Sequence, residues 1–296
     1  MTLLPFVPMS PIAADSLPEG TDWGYQLKWD GYRLIVSIED GEAKLFSKKM
    51  LPQNGKYPEI ARACSNLKGT LVLDGEAVVL DPDTGRPSFQ LLQQRNKPGA
   101  SASTRQLHVQ YIVFDVLRIG DEDLRGLPFA ERDRRLRELA ANWEAPLHTT
   151  DLFANGPLLW EWVVRNGWEG VVCKKLSSRY REGKEHRDWL KCKRKPEYDV
   201  EIVGVLWKEG RVSSMVMGEN GAYFGRVSSG LNGALKEKLR VLGNPDRSLC
   251  PFADYPEALK GFEVRWLQEP IGARVTGSER TEDGVLRHPK LLMLDL

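Results

Sequence analysis

Apolar and polar residues alternate in the early part of the chain, a pattern typical of half-buried β-strands. The alternation covers residues 23–29, WGYQLKW, and 33–48, RLIVSIEDGEAKLFSK. The second stretch contains Glu39-Asp40-Gly41, which predicts a hairpin turn. Residues 1–24 are rich in proline and lack a period, so we expect an extended lead-in before the first strand.

Further strands are predicted in the middle of the chain. Residues 69–85, GTLVLDGEAVVLDPDTG, predict two strands with a turn at each end, and residues 107–120, LHVQYIVFDVLRIG, are the most strand-like run. Residues 169–175, EGVVCKK, and 188–195, DWLKCKRK, indicate short strands on either side of a basic loop.

Helical spacing of apolar residues marks the segments 58–67, 88–96, 128–143 and 156–167. The third segment is amphipathic, with Glu131, Arg135 and Glu138 on its polar side. Gly167 stands where a left-handed residue commonly ends a helix.

The pattern changes after Pro196. Short apolar runs separated by glycine-rich turns predict about five strands, interrupted by one helix near residues 231–242. Such a set of strands is what a small Greek-key barrel needs. We therefore expect two domains, residues 1–195 and 196–296.

Composition narrows the class of protein. The 296 residues, 41% hydrophobic and 28% charged, are typical of a soluble globular protein with room for two modest domains. The sequence has no apolar run of membrane-spanning length and no secretory signal. The four cysteines are scattered without a C-x-x-C pair, which argues against zinc and favours a reducing cytoplasm.

Charge is balanced overall but not locally. The chain carries 42 basic and 41 acidic side chains, a net charge of +1. From Lys174 to Lys195, however, ten lysines and arginines stand against three acids. A cluster of this kind is either a solvated face or a phosphate-binding surface.

One lysine lies inside a predicted strand. Lys28 opens the sequence K-x-D-G-x-R, which continues with Asp30, Gly31 and Arg33. Lys28 is either one partner of a surface ion pair or a covalent nucleophile. The second interpretation is chemically possible because a neutral lysine amine can attack phosphorus. As part of a nucleophilic site, Gly31 would let the backbone approach a bulky ligand, and Arg33 would offer a planar fork to a ribose or phosphate.

Three acids are candidates for a divalent cation. Asp74 and Glu76 are two apart on a predicted strand and therefore share a face, and Glu169 directly precedes another strand. A plain turn at Asp74-Gly75 and a surface acid at Glu169 are the alternatives. Mg²⁺ prefers one or two carboxylates together with water and phosphate oxygens, and it would draw charge off a triphosphate.

Two further features are compatible with a nucleotide. Lys191 and Lys193 are two apart on a predicted strand, so both ammonium groups point the same way. That arrangement is costly unless an anion such as a triphosphate lies between them. Phe114 stands in an aliphatic strand, where it either packs in the core or stacks on a purine base.

Taken in order, these segments resemble the ATP-dependent DNA ligases of the covalent nucleotidyltransferase superfamily. K-x-D-G-x-R at 28–33 is similar to the nucleotidyl-acceptor motif of that family. The later motifs are D-G-E at 74–76, YIVFDVL at 111–117, EGVVCKK at 169–175 and WLKCK at 189–193. The stretches SSMVMGENGAYFGRVSSGL and GVLRHPKL are similar to the barrel of bacterial end-joining ligases.

The resemblance implies an α+β fold. It consists of a nucleotidyltransferase (adenylation) domain of antiparallel sheets and helices, followed by a C-terminal OB-fold β-barrel. It also implies that Lys28 forms a phosphoramide with AMP taken from ATP. Gln26 stands where the family often has a glutamate near the adenine amino group, with Leu27 beside it, and Phe114 would stack on the adenine.

The same resemblance assigns the remaining candidates. Arg33 and Glu76 would hold the ribose and the region of the nick phosphate. Glu169, with Glu76, would hold Mg²⁺ or Mn²⁺. Lys191 and Lys193 would grip the phosphates.

Two departures from the family pattern stand out. Where the family carries S-R-x-G, this chain has SKKM, so Lys48 supplies a point charge in place of the arginine fork. The family's last motif ends in R-x-D-K, whereas this chain reads LLMLDL, with Asp295 near the position of the arginine. We therefore expect self-adenylylation by ATP to be slow, and sealing of a pre-adenylylated nick to be affected less.

The expected function is ATP-dependent sealing of 5′-phosphate/3′-hydroxyl nicks in DNA repair or end joining. An RNA ligase, an mRNA-capping guanylyltransferase and a non-catalytic nucleic-acid-binding module remain alternatives. The expected partners are nicked or broken double-stranded DNA and a Ku-type end-binding protein. We expect a monomer in the cytoplasm, associated with the nucleoid and not with a membrane. Because only 27 residues precede Lys28, we expect no separate N-terminal DNA-binding domain.

Overall fold

The structure is a computed structural model that describes residues 5–183, 185–277, 280–281 and 283–296. The chain divides into two compact units, the first ending at Arg194 and the second comprising Lys195–Leu296. Lys184, one member of the basic cluster between Lys174 and Lys195, lies outside the described residues.

The first unit is built on two sheets. Its strands are β1 (Ser10–Ala13), β2 (Trp23–Leu27), β3 (Tyr32–Glu39), β4 (Glu42–Ser47), β5 (Leu71–Val79), β6 (Val109–Ile119), β7 (Glu122–Asp123), β8 (Leu147–Thr149), β9 (Gly170–Lys175) and β10 (Glu185–Lys193). Sheet A has the order β1-β10-β9-β2, and sheet B has the order β4-β3-β5-β6-β7, with β8 added in parallel to β6. The predicted hairpin is confirmed, since β3 pairs with β4 from Leu34 opposite Ser47 to Glu39 opposite Glu42.

The helices of the first unit are α1 (Pro58–Ser65), α2 (Phe89–Asn96), α3 (Ala102–Arg105), α4 (Phe129–Leu139) and α5 (Gly156–Asn166). Four of them confirm the predicted helical segments, and α3 falls where the spacing of apolar residues predicts no helix. Gly167 ends α5 with a left-handed φ of 68°, as predicted. Among the described residues, no helix has the length and apolar character needed to cross a membrane.

Two predicted elements are wrong in detail. Residues 71–79 form the single strand β5 and not two strands, and Gly75 lies inside it. A Cβ on Gly75 would meet the carbonyl oxygen of Ile112 at 2.6 Å, so this glycine permits close approach of β6 and is not part of a turn. The lead-in also contains β1, which pairs with β10; four residues that include Pro11 are too few to give a visible period.

The polar side of α4 is as predicted, but its inner side carries an unexpected ion pair. Arg132 and Asp115 are both fully buried, with Nε to Oδ1 at 2.8 Å and Nη2 to Oδ2 at 2.9 Å. The remaining Nη1 donates to the carbonyl oxygens of Leu127 at 2.7 Å and Ser178 at 3.1 Å. These four hydrogen bonds offset the free energy that is needed to remove the charges of Arg132 and Asp115 from water.

Replacing Arg132 by methionine is expected to lower the free energy of unfolding by about 3–5 kcal/mol, because Asp115 would stay buried without its counter-charge. Urea denaturation followed by circular dichroism measures the change. Arg134→Met is the matched control, since Arg134 is 54% exposed and pairs along the helix surface with Glu131 and Glu138. It should cost less than about 1 kcal/mol. Equal small losses in both variants would contradict the prediction.

The second unit is a β-barrel of the predicted kind. Its elements are β11 (Glu197–Lys208), β12 (Arg211–Glu219), β13 (Ala222–Val227), α6 (Gly233–Leu239), β14 (Glu263–Thr276) and β15 (Lys290–Leu294). The strand order is β13-β12-β11-β14-β15. Ser229, just after β13, forms a parallel bridge with Lys290 in β15, which joins the two outer edges. Closure of this sort removes exposed sheet edges and is the arrangement of an OB-fold.

Candidate active site

A cavity of about 270 Å³ lies between sheets A and B of the first unit. Sheet A contributes Ser10, Pro11, Gln26, Leu27, Val172, Lys174, Trp189, Lys191 and Lys193; sheet B contributes Arg33, Glu76 and Phe114; Lys28, Trp29 and Lys48 follow the ends of β2 and β4. The cavity thus brings together every nucleotide-binding candidate that the sequence suggested. Glu169 is bonded to two of the lining lysines.

Lys28 is held at the end of β2. Its backbone N–H donates to the carbonyl oxygen of Gly170 at 2.9 Å. Its Nζ lies 2.7 Å from Oε2 of Glu169, while Nζ of Lys193 lies 2.8 Å from Oε1. Lys28 and Glu169 are only 20% and 19% exposed, so this pair is sheltered and unlike an ordinary surface ion pair. The Glu169 carboxylate thus lies between two ammonium groups, within hydrogen-bonding distance of each.

Three carboxyl groups, those of Asp30, Glu76 and Glu169, lie close enough to Lys28 to interact with it electrostatically. Burial raises the pKa of Glu76 to about 8, against the opposing influence of Lys28 and Arg33 and with a contribution from Glu169. Burial also raises the pKa of Asp30, again with a contribution from Glu169. A bound cation would relieve the unfavourable interactions between these carboxylates.

Arg33 does not present an open fork to the cavity. Its Nε and Nη2 donate to the two oxygens of Asp74 at 2.8 and 2.6 Å. Tyr180 donates its hydroxyl to the same carboxylate at 2.7 Å, and Asp74 is fully buried. Asp74 is therefore neither a turn residue nor an available metal ligand: it holds Arg33, whose guanidinium lies 5.3 Å from the ring centre of Phe114.

Asp30 and Gly31, which follow Lys28 closely in the sequence, both contact other elements of the protein. A Cβ on Gly31 would meet the carbonyl oxygen of Ala77 at 2.3 Å and Cγ of Glu76 at 2.9 Å. The expectation that Gly31 makes room for a ligand is thus wrong, because it makes room for β5. Asp30 accepts a hydrogen bond from the backbone N–H of Phe89 at 3.2 Å, at the first turn of α2.

Phe114 packs against the buried side chain of Lys174. Nζ of Lys174 donates to the carbonyl oxygen of Phe114 at 2.9 Å and lies 4.6, 4.5 and 4.2 Å from the ring centres of Phe114, Phe129 and Trp189. Burial lowers the pKa of Lys174 to about 7. Phe114 itself is half-buried and lines the cavity. The ring therefore packs in the core on one side, and its stacking on a purine base stays a prediction.

Lys191 and Lys193, the residues predicted to bind phosphates, lie on the same face of their strand, as the alternation of side chains along a strand predicts. In β10, Lys191 pairs with Val172 and Lys193 pairs with Gly170, so both side chains share the cavity face of sheet A. Lys48 is exposed at the cavity edge. Met50, in the place of the family's usual glycine, adopts a left-handed φ of 58° to complete that turn.

Several lining residues were not singled out by the sequence: Ser10, Pro11, Trp29, Val172, Lys174 and Trp189. The strand period could have found some of them. Val172 and Lys174 are two apart in β9 and so share a face, and Trp189 lies two before Lys191 in β10. Ser10 carries no comparable signal, because its strand is too short to show a period.

The lining suits a nucleoside triphosphate with a divalent cation. Cationic groups, a half-buried ring and a buried amide meet in one cavity. The described residues contain no group of three or more histidine, cysteine, aspartate or glutamate side chains placed to hold a metal ion. Mg²⁺ favours one or two carboxylates completed by water and phosphate oxygens, and Glu76 and Glu169 are the two carboxyl groups predicted for that role.

Comparisons with a family model and with known proteins agree with each other. Residues 10–193 match the model of the ATP dependent DNA ligase domain. A multifunctional non-homologous end joining protein LigD of Mycolicibacterium smegmatis is 31% identical over 281 residues, which is 90% of this chain and 35% of the relative. A bifunctional protein of the same kind from Bacillus subtilis is 30% identical, covering 95% of this chain and 51% of the relative.

Solved structures agree on the fold. The ligase domain of LigD from M. tuberculosis is similar with a TM-score of 0.59 and 30% identity, covering 98% of this chain and 94% of that chain. A mycobacterial DNA ligase D complexed with ATP and MES gives a TM-score of 0.59 at 31% identity, with the same coverage. This chain spans about a third of the length of the mycobacterial relative and half that of the Bacillus relative. With its two-sheet domain, its OB-fold and its lysine-centred cavity, the chain belongs to the ATP-dependent DNA ligase domain family.

Proposed function

We propose that this protein is an ATP-dependent DNA ligase that joins 5′-phosphate and 3′-hydroxyl ends at a nick through a lysyl-AMP intermediate. The observation that carries the proposal is the sheltered Lys28, 2.7 Å from Glu169, at a cavity also lined by Phe114, Lys191 and Lys193. A lysine in a cavity lined by cations and an aromatic ring is suited to react with a nucleotide phosphate.

The chemistry proceeds in three displacements at phosphorus. Lys28 Nζ forms a bond to the α-phosphorus of ATP, the bond to pyrophosphate breaks, and Glu169 is placed to accept the lysine proton. A 5′-phosphate oxygen of DNA then forms a bond to the phosphorus of the lysine-bound AMP, and the P–N bond to Lys28 breaks. Finally the 3′-hydroxyl oxygen attacks the 5′-phosphorus and AMP leaves. Positioning and charge neutralisation supply most of the rate in such reactions.

The other lining residues have distinct roles in this proposal. Lys191 and Lys193 bind the phosphates from one face of β10. Phe114 stacks on the adenine, held from behind by Lys174. Arg33, fixed by Asp74, presents its positive edge near the ribose and the nick phosphate. Lys48 at the cavity edge adds a point charge in place of an arginine.

The residues also fit a divalent cation. Glu76 and Glu169 would hold Mg²⁺ or Mn²⁺, which would draw charge off the triphosphate during attack. Burial, with a smaller contribution from Glu169, raises the pKa of Glu76, and a bound cation would favour the ionised form of this carboxyl group.

We further propose that the substrate is nicked or broken double-stranded DNA and that the protein acts in repair by end joining. The support is the similarity to relatives named as non-homologous end joining proteins. A Ku-type end-binding protein is the proposed partner, and the proposed form is a cytoplasmic monomer associated with the nucleoid.

A matched set of substrates tests the proposal. A nicked DNA duplex, the same nick in RNA and a capped-RNA precursor are each incubated with ATP or GTP and Mg²⁺, and products are separated on a denaturing gel. We expect joined DNA with ATP. Joining of RNA alone, or transfer of GMP to RNA ends, would replace the proposal with an RNA ligase or a capping enzyme. If no combination of substrate and nucleotide gives a product, the non-catalytic nucleic-acid-binding module becomes the favoured alternative.

A further inference from the structure

Glu169 lies in the short connection between α5 and β9, residues 167–169, and not within a strand. Its carboxylate nevertheless keeps close contact with two lysines, Nζ of Lys28 at 2.7 Å and Nζ of Lys193 at 2.8 Å. Side chains on connections are held less precisely than side chains on strands or helices. The position of Glu169 therefore depends on what this connection packs against.

A pair of tryptophans lies beside the ion pair of Lys28 and Glu169. Trp29 directly follows Lys28 in the sequence. Trp168 directly precedes Glu169. The two indole rings meet edge to face, with centres 5.1 Å apart and planes inclined at 75°, a geometry that aromatic pairs favour. Because each ring is one residue from a member of the ion pair, the ring contact and the ion pair constrain each other.

Both rings are held by further contacts. Nε1 of Trp29 donates to Oγ1 of the buried Thr150 at 3.0 Å. Trp168 also contacts Trp162 of α5, with ring centres 5.4 Å apart. Trp168, which is half-buried, thus links α5 to the segment that follows β2.

Two arginines hold the backbone of the same connection. Nε of Arg194 donates to the carbonyl oxygen of Trp168 at 3.1 Å, and its backbone N–H donates to that of Glu169 at 2.8 Å. Nη1 of Arg86 donates to the carbonyl oxygen of Gly167 at 3.4 Å. Cations at the carboxyl end of a helix are favourable, since the last carbonyl groups carry partial negative charge. The backbone is fixed in this way, and the Trp168 ring adds the link to the segment that carries Lys28.

We propose that Trp168 is a positioning residue for Glu169: its contact with Trp29 keeps the carboxylate against Lys28 while the lysyl-AMP bond forms. This role rests on the proposed function, which gives Lys28 and Glu169 their parts in that step. Trp168 is not among the described residues that line the cavity, so it acts through Glu169 and not on the nucleotide.

Single-turnover formation of the AMP adduct, followed by mass over a range of ATP concentrations with excess Mg²⁺, tests this role. Trp168→Leu is expected to slow the rate at saturating ATP about tenfold, because small displacements of reacting groups are costly. The ATP concentration that gives half of that rate should change less than about twofold, since no nucleotide contact is lost. Trp168→Phe keeps a ring against Trp29 and should stay within about threefold of the wild-type rate.

Removal of the Glu169 charge shows whether Trp168 acts through it. In a Glu169→Gln background, Trp168→Leu should slow adduct formation less than about twofold, because changes that act through one group are not additive. A tenfold effect that persists in this background would overturn the proposal, as would a wild-type rate in Trp168→Leu. If Trp168→Leu does not fold, Trp168→Phe serves in both backgrounds, and its slowing should disappear in Glu169→Gln.

Trp143→Leu is the matched control, since Trp143 is also a half-buried tryptophan of the first unit but packs against the hydrophobic core of sheet B. It should leave the adduct rate at saturating ATP unchanged. An equal loss of rate in Trp143→Leu would show a general effect of packing and overturn the role of Trp168.

The wild-type protein in the same assay separates this inference from the ligase proposal. An adduct on Lys28 whose rate does not depend on Trp168 would contradict the positioning role alone. The absence of any adduct from the wild type would contradict the ligase chemistry and the positioning role together.

Discussion

Lys28→Ala is expected to abolish sealing of a nicked DNA duplex, with a loss of at least about 10³-fold in rate, because removing a covalent nucleophile removes the whole first step. The assay is joining of a labelled nicked duplex in the presence of ATP and Mg²⁺. Lys44→Ala is the matched control, since Lys44 is 59% exposed in β4 and is not part of the cavity. It should seal at the wild-type rate.

A pre-adenylylated nick distinguishes a lost nucleophile from a lost fold. The last displacement forms no bond to Lys28, so Lys28→Ala should retain a substantial part of the wild-type rate on that substrate. If the variant seals an ordinary nick at a rate close to that of the wild type, Lys28 is not the nucleophile and its pairing with Glu169 is only structural.

Glu169→Gln is expected to slow formation of the lysyl-AMP adduct by about 10²–10³-fold. Glutamine has nearly the same shape but loses the charge that faces Lys28 at 2.7 Å and Lys193 at 2.8 Å. The change removes a proton acceptor and a proposed metal ligand at once, and general bases alone contribute about 10²–10⁴-fold. Single-turnover mixing with ATP, quenched and analysed by mass, measures the rate.

The control for this change is Glu161→Gln on α5, which removes one negative charge from an exposed position. It should leave the adduct rate unchanged. Wild-type rates in Glu169→Gln would restore the interpretation of Glu169 as an ordinary surface acid. A loss that high Mg²⁺ reverses would identify metal binding as the larger of its two contributions.

Much of the cavity could be predicted because strand periodicity fixes which side chains share a face. Lys191 and Lys193 are two apart, and both lie on the cavity face of β10. The helices and the hairpin followed from spacing and from turn residues in the same way. The order of the motifs added the family, which periodicity alone does not provide.

What the sequence could not supply are contacts between elements distant along the chain. The pairing of Arg33 with Asp74 joins β3 to β5, and it changes a possible metal ligand into a support for an arginine. The burial of Lys174 against three rings depends on the way α4 and β6 pack on sheet A. Gly31 was assigned to a ligand because its close neighbour, the backbone of Ala77, is far away in sequence.

The most direct test of the account is the intact mass of the wild-type protein after incubation with ATP and Mg²⁺, followed by peptide mapping. The account predicts a mass increase equal to one AMP, located on Lys28 and absent after incubation with EDTA. An adduct on another residue would contradict the assignment of the nucleophile. No adduct, in a protein that still binds ATP, would contradict the proposed self-adenylylation by Lys28.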